Sequence, residues 1–387
     1  MKLLHFVTDD KFIDNMIDLF DSIPDIENYY VTISGEGSEF KMIKSKKVKY
    51  VNKQWVEENC IKKASYDVIF LHNLFSLGPE FICLINPKIK IAWLSWGFEL
   101  YDLEWPLYPL IKLKNRIKDS NPFIERIKQK LREYNKIISG TIKGRLKDRK
   151  TFNKAITRID FFSGVLPIEF DLLTKNKYFN AKQIFFNYSS PRSIASSDRI
   201  NDSIPQKKDI IQVGHSSYKY LNHTATFRLL KKFSNIDNYT IFSPLNYGNT
   251  SYKPKALKSG NDIFGTNFYP LLNFIDAKEY YKILSSVKIA IYNIERQSGL
   301  GNIFYNLWYG TKVFLPKNSI TYNNFKSLGI VIFNIEEELN EEALINELNE
   351  EVVKKNRKII AENYQYSKVR ERLLESLAII KRDIVEK

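Results

Sequence analysis

Cysteine is scarce: only Cys60 and Cys83 occur in 387 residues. Two cannot make a disulfide framework, so both are read as reduced thiols buried as small hydrophobes. No apolar run approaches the ~20 residues of a bilayer-spanning helix. The first residues pass straight into Leu3-Leu4-His5-Phe6-Val7, without the basic start and cleavage site of a secretory signal, so a cytoplasmic location is expected. The four histidines, His5, His72, His215 and His223, lack ligand-type clustering, and no Asp-x-Asp pair occurs. No metal and no other cofactor is therefore expected. Sequence repeats, low-complexity tracts and a dinucleotide fingerprint are also missing.

What is present in excess is positive charge, 59 Lys and Arg against 44 Asp and Glu, a net +15. It is unevenly placed: residues 111–158 hold 16 Lys/Arg and 4 Asp/Glu, a local +12. Interleaved apolar residues at roughly helical spacing give a basic segment with an apolar stripe, suited to an anionic membrane surface. A solvated helical face is the plainer reading. Nucleic-acid binding is a third, without a recognisable module to support it, and no nucleic-acid partner is expected. The remainder, 44% hydrophobic with a mean hydropathy of -0.33, is that of a globular protein long enough for two domains.

The chain alternates strands and helices. Short β-branched runs over 3–8, 29–34, 68–71, 89–95, 160–165 and 183–187 are apolar on both faces, the mark of a parallel sheet covered by helices. Gly35-Glu36-Gly37 would end the second of them. Residues 191–205 are rich in Ser, Pro and Asp without periodicity and read as a linker. Alternation then resumes with strands over 209–213, 239–243, 287–292, 313–315 and 330–333, and with helices over 222–233 and 277–285, Asn222 serving as an N-cap. The expected fold class is α/β, with two Rossmann-like domains over 1–190 and 206–365 facing a cleft, and a final helix over 366–387 that packs back on the first.

In such sheets ligands lie beyond the carboxyl ends of strands, where Asp10, His72, Asn73 and Glu99 fall in the first half. In the second, Glu295-Arg296-Gln297-Ser298-Gly299-Leu300-Gly301-Asn302 stands between a strand and a helix. Two glycines permit close backbone approach, and a helix N-terminus offers unpaired N–H groups and partial positive charge, a combination suited to a phosphate or pyrophosphate. A plain turn is the competing reading. Gly214, His215, Ser216 and Ser217 follow another strand and are a second place to meet phosphate oxygens; Asn246 and Tyr247 follow a third and would border the base or sugar.

Four stretches in this order resemble the bacterial transferases that move 4-acetamido-4,6-dideoxy-D-galactose (Fuc4NAc) from its dTDP form to a lipid-linked acceptor in enterobacterial common antigen synthesis. They are Leu3-Leu4-His5-Phe6-Val7 with Asp10, Trp96-Gly97-Phe98-Glu99-Leu100-Tyr101, Val213-Gly214-His215-Ser216 with Asn222-His223, and Arg296-Gln297-Ser298-Gly299-Leu300-Gly301. The chain departs from the family at Phe98-Glu99, where the family has a shorter pair ending in Asp, and in its longer basic stretch. The resemblance implies a GT-B glycosyltransferase with nucleotide-sugar in the C-terminal half, acceptor in the N-terminal half, and peripheral association with the inner face of the cell membrane. Its implied partners are a dTDP-sugar donor and a polyprenyl-diphosphate-linked glycan acceptor; a UDP- or GDP-sugar on another glycan acceptor is the alternative.

Glycosyl transfer needs something to meet the charge of the leaving diphosphate and, where configuration inverts, a base for the acceptor's proton. Gly299, Gly301 and Asn302 would form the backbone cradle with Arg296 as a charged clamp, and Gln297 and Ser298 complete the donor loop. Glu99 is the first choice of base, with Asp10 and His72 behind it, and Asn73, Trp96 and Tyr101 would contact the acceptor, the two aromatics by stacking on a sugar. The competing readings are a carboxylate that only bonds loop backbone for Glu99, a surface ion pair for Arg296, and a satisfied core histidine for His5.

Overall fold

The computed structural model describes residues 1–33, 39–101, 110–111, 142–188 and 195–386, with backbone alone over 142–148. Gly35-Glu36-Gly37, residues 112–141 of the basic segment, and residues 191–194 of the expected linker lie outside the described residues. The chain divides into two compact units. The first includes the described residues of Met1–Lys112 and Arg132–Ser190 together with Ser367–Lys387, and the second includes Pro191–Tyr366.

The sheet of the first unit contains β1 (Lys2–Phe6), β2 (Glu27–Thr32), β3 (Val48–Tyr50), β4 (Val68–His72), β5 (Lys90–Leu94), β6 (Phe161–Ser163) and β7 (Lys182–Gln183). They lie in the order β3-β2-β1-β4-β5-β6-β7, every pairing parallel. β4 and β5 are buried at every position, as expected of central strands with helices on both faces.

The second sheet holds β8 (Lys208–Val213), β9 (Thr240–Pro244), β10 (Phe268–Leu271), β11 (Val287–Ile291), β12 (Lys312–Leu315) and β13 (Phe333–Asn334) in the order β10-β9-β8-β11-β12-β13. Its pairings are parallel too. Ile211, Val213, Phe227, Ile241, Ile289, Ile291 and Phe314 are fully buried in its core. Burying each such side chain contributes roughly 1.5–3 kcal/mol.

Both sheets thus reverse direction beside their first strand, at β1/β4 and at β8/β11. In doubly wound sheets that reversal opens a crevice for ligand beyond the carboxyl ends. The α/β class and the two Rossmann-like domains are those expected from the alternation of apolar runs.

Several local expectations differ. β3 and β10 stand where no strand was expected, because Val48-Lys49-Tyr50 lies in a lysine-rich stretch and β10 contains Pro270, tolerable only on an edge strand. β6 and the edge strands β7 and β13 are shorter than their apolar runs. Asn222 precedes helix His223–Leu230 but makes no side-chain cap; at φ +50° it is left-handed, and its amide donates to the Tyr220 and Asn293 carbonyls instead. Of the basic segment, the described part forms helix Ile142–Thr157.

Helix Tyr366–Val385 belongs to the first unit's fold. Ser376 Oγ accepts from Phe185 N at 2.8 Å and donates to Phe185 O at 3.0 Å. Asp383 bridges Lys90 and Lys182, and the two ammonium groups hold its carboxyl down at about 2.

Candidate functional site

In the first unit the polar groups gather where the apolar strands run out. β4 ends on His72, and the next residue, Asn73, turns the chain at φ +76°. Its side chain donates to Thr8 Oγ1 at 3.2 Å and accepts from Phe75 N at 3.0 Å, so this buried residue ties the end of β4 to that of β1. Beyond β5, Gly97 at φ +90° reverses the chain into the short helix Phe98–Tyr101. That turn folds Glu99 back under the strand.

Glu99 is 7% exposed, and its Oε1 accepts from Trp96 N at 3.0 Å and Trp93 Nε1 at 3.2 Å. Burial pushes its carboxyl up to about 7, against the pull of the Trp96 N–H, its own backbone N–H, the Trp93 indole and the Leu74 N–H. Asp10, half-buried, accepts from Phe12 N at 3.1 Å and is likewise raised by burial.

Beneath this end runs a chain of hydrogen bonds through two buried histidines. His5 Nε2 meets Asn28 Oδ1 at 3.2 Å, His5 Nδ1 meets His72 Nε2 at 3.0 Å, and His72 Nδ1 meets Tyr188 Oη at 2.7 Å. Asn28 gives its amide N–H to the acceptor-only carboxylate of Asp21 at 3.0 Å, so its oxygen faces His5 and must receive a proton. Both imidazoles are therefore Nε2–H tautomers, and Tyr188 donates to His72. Burial lowers His5 to about 3 and His72 well below its ordinary value, so both stay neutral. His72 is fully buried with both ring nitrogens engaged; it holds Tyr188 and offers no free nitrogen of its own.

Tyr188 packs edge-on against Trp96 at 5.8 Å, and the charges of Glu99 and Asp10 add to the burial that raises its phenol. Asp10, Trp96, Glu99 and Tyr188 are thus brought to one end of the sheet. Tyr101 is not part of that surface: it is 1% exposed and gives its hydroxyl to Glu169. Glu169, which sequence reasoning missed, is fully buried, accepts from Leu166 N at 2.9 Å, and is pushed up to about 7 by burial, with the Glu99 charge adding to the rise.

In the second unit the loops after β8, β9 and β11 meet. Gly214 has φ +70°, and a Cβ there would lie 2.6 Å from His223 Nε2. His215, nearly buried, approaches Ser298 Oγ through Nε2 at 3.2 Å and lies under Gly299, where a Cβ would come within 2.6 Å of its Nδ1. These contacts join the β8 loop to the glycine loop. Ser216 and Ser217 are both buried; Ser217 donates through N and Oγ to Tyr247 O at 2.7 and 2.8 Å, which joins the β9 loop. Tyr247 is 38% exposed and stacks on Phe274. Asn246 Oδ1 is buried and accepts no hydrogen bond among the described residues.

Gly299, at φ +68°, is the N-cap of helix Leu300–Tyr309 and supplies no side-chain cap. The first-turn N–H groups thus have no intrahelical acceptor. Half-buried Arg296 carries its guanidinium 5.0 Å from the Tyr220 ring centroid, and Gln297 and Ser298 are half-buried beside it. Gly301 is exposed, and a Cβ there would meet nothing within 4 Å. Asn302 turns its Oδ1 to the Tyr280 hydroxyl.

A buried polar triad supports the loops. Asn306 Nδ2 donates to Gln212 Oε1 at 3.0 Å and to Tyr292 Oη at 2.7 Å, and Gln212 Nε2 donates to Gly214 O at 2.9 Å. The signal available in the sequence was a lone amide inside each of two apolar runs, Ile-Ile-Gln212-Val and Phe-Tyr-Asn306-Leu. Among the described residues no group of three or more His, Cys, Asp or Glu is placed to hold a metal ion, and no helix is long and apolar enough to cross a membrane.

No protein-family model matches the chain, and no curated protein matches it. Solved structures do match in fold. A sucrose-phosphate synthase from Thermosynechococcus elongatus aligns over 99% of this chain and 99% of its own, with a TM-score of 0.62 at 8% identity. A glycosyltransferase from Rickettsia africae aligns over 100% and 99%, with a TM-score of 0.60 at 11% identity. AviGT4, a glycosyltransferase involved in avilamycin A biosynthesis, aligns over 100% and 99%, with a TM-score of 0.53 at 11% identity. The fold is that of GT-B glycosyltransferases, with two parallel-sheet Rossmann-like domains.

Proposed function

We propose that this chain is a nucleotide-sugar-dependent glycosyltransferase whose second unit holds the donor and whose first unit supplies the base. The observation that carries the reading is the uncapped start of helix Leu300–Tyr309, beside the β8/β11 reversal, with Gly299 left-handed and Arg296 alongside. Loss of a nucleoside diphosphate concentrates negative charge on its terminal phosphate. Fixed N–H groups, the helix dipole and a guanidinium stabilise that charge more as it grows. Glu99, raised to about 7, is poised to take a proton from an acceptor hydroxyl near neutral pH, the role an inverting transfer needs. Tyr188 and Trp96 border it, and Asp10 is the second carboxylate at that end.

The finer reading is a dTDP-linked 4-acetamido-4,6-dideoxyhexose donor and a polyprenyl-diphosphate-linked saccharide acceptor at the inner face of a bacterial membrane. Its support is the order of the four motif blocks and the local +12 of residues 111–158. Calorimetric titration with dTDP, UDP and GDP side by side is the test. Tightest binding by dTDP, lost on replacement of Arg296, is the expected result. Tightest binding by UDP or GDP would overturn the dTDP assignment, and no binding by any of the three would overturn the donor site itself.

A further inference from the structure

A cavity of about 840 Å³ lies on the outer part of the first sheet, against β2 and β3. Of its lining residues only Asp21 and Asn28 take part in the hydrogen-bond chain described above, and neither reaches the carboxyl end where Glu99 and Asp10 lie. Its size falls in the ~300–1,000 Å³ range of small-molecule sites. Its walls combine rings with unused polar groups. Tyr29, Trp55 and Tyr66 form one cluster, Tyr29 edge-on to Tyr66 at 5.3 Å and Trp55 tilted on Tyr66 at 6.3 Å, and Tyr29 remains 41% exposed.

The charges in this cavity are not balanced. Lys47 is matched by Asp21 at 2.5 Å, and that carboxylate also accepts from Tyr30 and Asn28. Lys49 has no carboxylate partner among the described residues. Nor do the Trp55 indole N–H, the Tyr66 hydroxyl or the Asn52 amide N–H have protein acceptors among them. Four donors, one of them the uncompensated Lys49 ammonium, therefore line a cavity walled by half-exposed rings.

We propose that this cavity binds a saccharide carrying an anionic substituent. A pyranose presents a face of C–H groups, partially positive, that packs on the negative face of an aromatic ring, while its hydroxyls need directional partners around the rim. The cavity supplies both, and Lys49 supplies a counter-charge for a carboxylate. A nucleobase is served less well: the rings meet one another edge-on or tilted and leave no parallel pair to sandwich a flat heterocycle. The site stands apart from sugar transfer, and its test does not require turnover.

The experiment is ligand-observed NMR and calorimetry on the full chain, with trigalacturonate as the acidic probe, maltotriose as the neutral one, and UMP as competitor. Trigalacturonate should bind, Trp55→Ala should weaken it at least tenfold, and Lys49→Ala should remove the preference over maltotriose. Tyr66→Phe, which keeps the ring, serves as a milder variant should Trp55→Ala unfold, and should weaken binding about threefold. No saccharide binding, or equal affinity in the parent and all variants, would overturn the site. Equal binding of both trisaccharides by the parent would overturn the anionic preference, and displacement by UMP would overturn the saccharide assignment.

Discussion

Tyr188 donates its hydroxyl to His72 Nδ1 across 2.7 Å, and through that bond a residue at the carboxyl end of the first sheet is fixed to a histidine inside it. The proton order along Tyr188, His72, His5 and Asn28 is set by the far end, where Asp21 can only accept. Nitrogen NMR of the histidine rings should therefore show His5 and His72 as neutral Nε2–H tautomers, still unprotonated at pH 5. Tyr188→Phe should cost about 1–3 kcal/mol in chemical denaturation, since it leaves a buried acceptor without its donor. An Nδ1–H signal for His72 would refute the order.

Stability should respond to pH in two opposed windows. His5 is neutral in the fold down to about 3, whereas an unfolded histidine gains its proton near 6.5, so the unfolded state binds more protons below 6.5 and stability falls as pH drops toward 3. Glu169 is raised from 4.5 to about 7, so the folded state binds more protons between those values, and its contribution is lost as pH rises through 7. Glu169→Gln should flatten the dependence of Tm on pH between 4.5 and 8, at a cost of about 1 kcal/mol at pH 5 for the lost Leu166 bond. An unchanged slope would show that Glu169 does not titrate in that window.

Glu99→Gln should separate base from scaffold. The amide oxygen can keep both bonds to Trp93 and Trp96, so Tm at pH 5 should stay within a degree or two of the parent. Under the proposed function kcat should fall by about 10²–10⁴. In the parent, rate should rise with pH through about 7 as the carboxyl ionises. Parental turnover by a folded Glu99→Gln protein would discard the role.

Gly299 and Gly301 look equivalent in the sequence and are not. Gly299→Ala places a Cβ 2.6 Å from His215 in a left-handed backbone, and should cost about 1–3 kcal/mol. Gly301→Ala meets no atom and should stabilise the helix by about 0.5–1 kcal/mol. A nucleoside diphosphate seated on the first-turn N–H groups would nevertheless be crowded by that methyl, so donor affinity should drop while Tm rises. Undiminished affinity in Gly301→Ala would move the diphosphate elsewhere.

Arg296→Ala should lower turnover far more than stability, because the side chain is half-exposed and its ring contact with Tyr220 is worth about 0.5–1 kcal/mol. Arg296→Lys should recover only part of the loss, since an ammonium lacks the planar fork that grips a phosphate. Equal kinetics in all three proteins would reduce Arg296 to a surface residue.

The central strands were readable because burial on both faces leaves uninterrupted runs such as Val68-Ile69-Phe70-Leu71. The helix that Gly310 closes was readable, but its start was expected after Gly301, whereas it begins at Leu300 on a left-handed Gly299. Edge strands carried no such signal: β10 accommodates Pro270, and β3 lies among lysines. At the site, Glu99 and Arg296 announced themselves by following buried strands. Glu169 and Tyr188 did not, because their partners Tyr101 and His72 lie 68 and 116 positions away and only the sheet order brings them together. The same holds for Asn306 and Gln212, 94 positions apart.

The bond between Asp383 and the lysines of β5 and β7 has a consequence for how the protein is made. The first sheet waits for its last brace until the ribosome has delivered the final helix, long after the intervening unit has been synthesised in full. A released chain truncated after Tyr366 should carry a protease-resistant second unit beside a first one that is still open to cleavage.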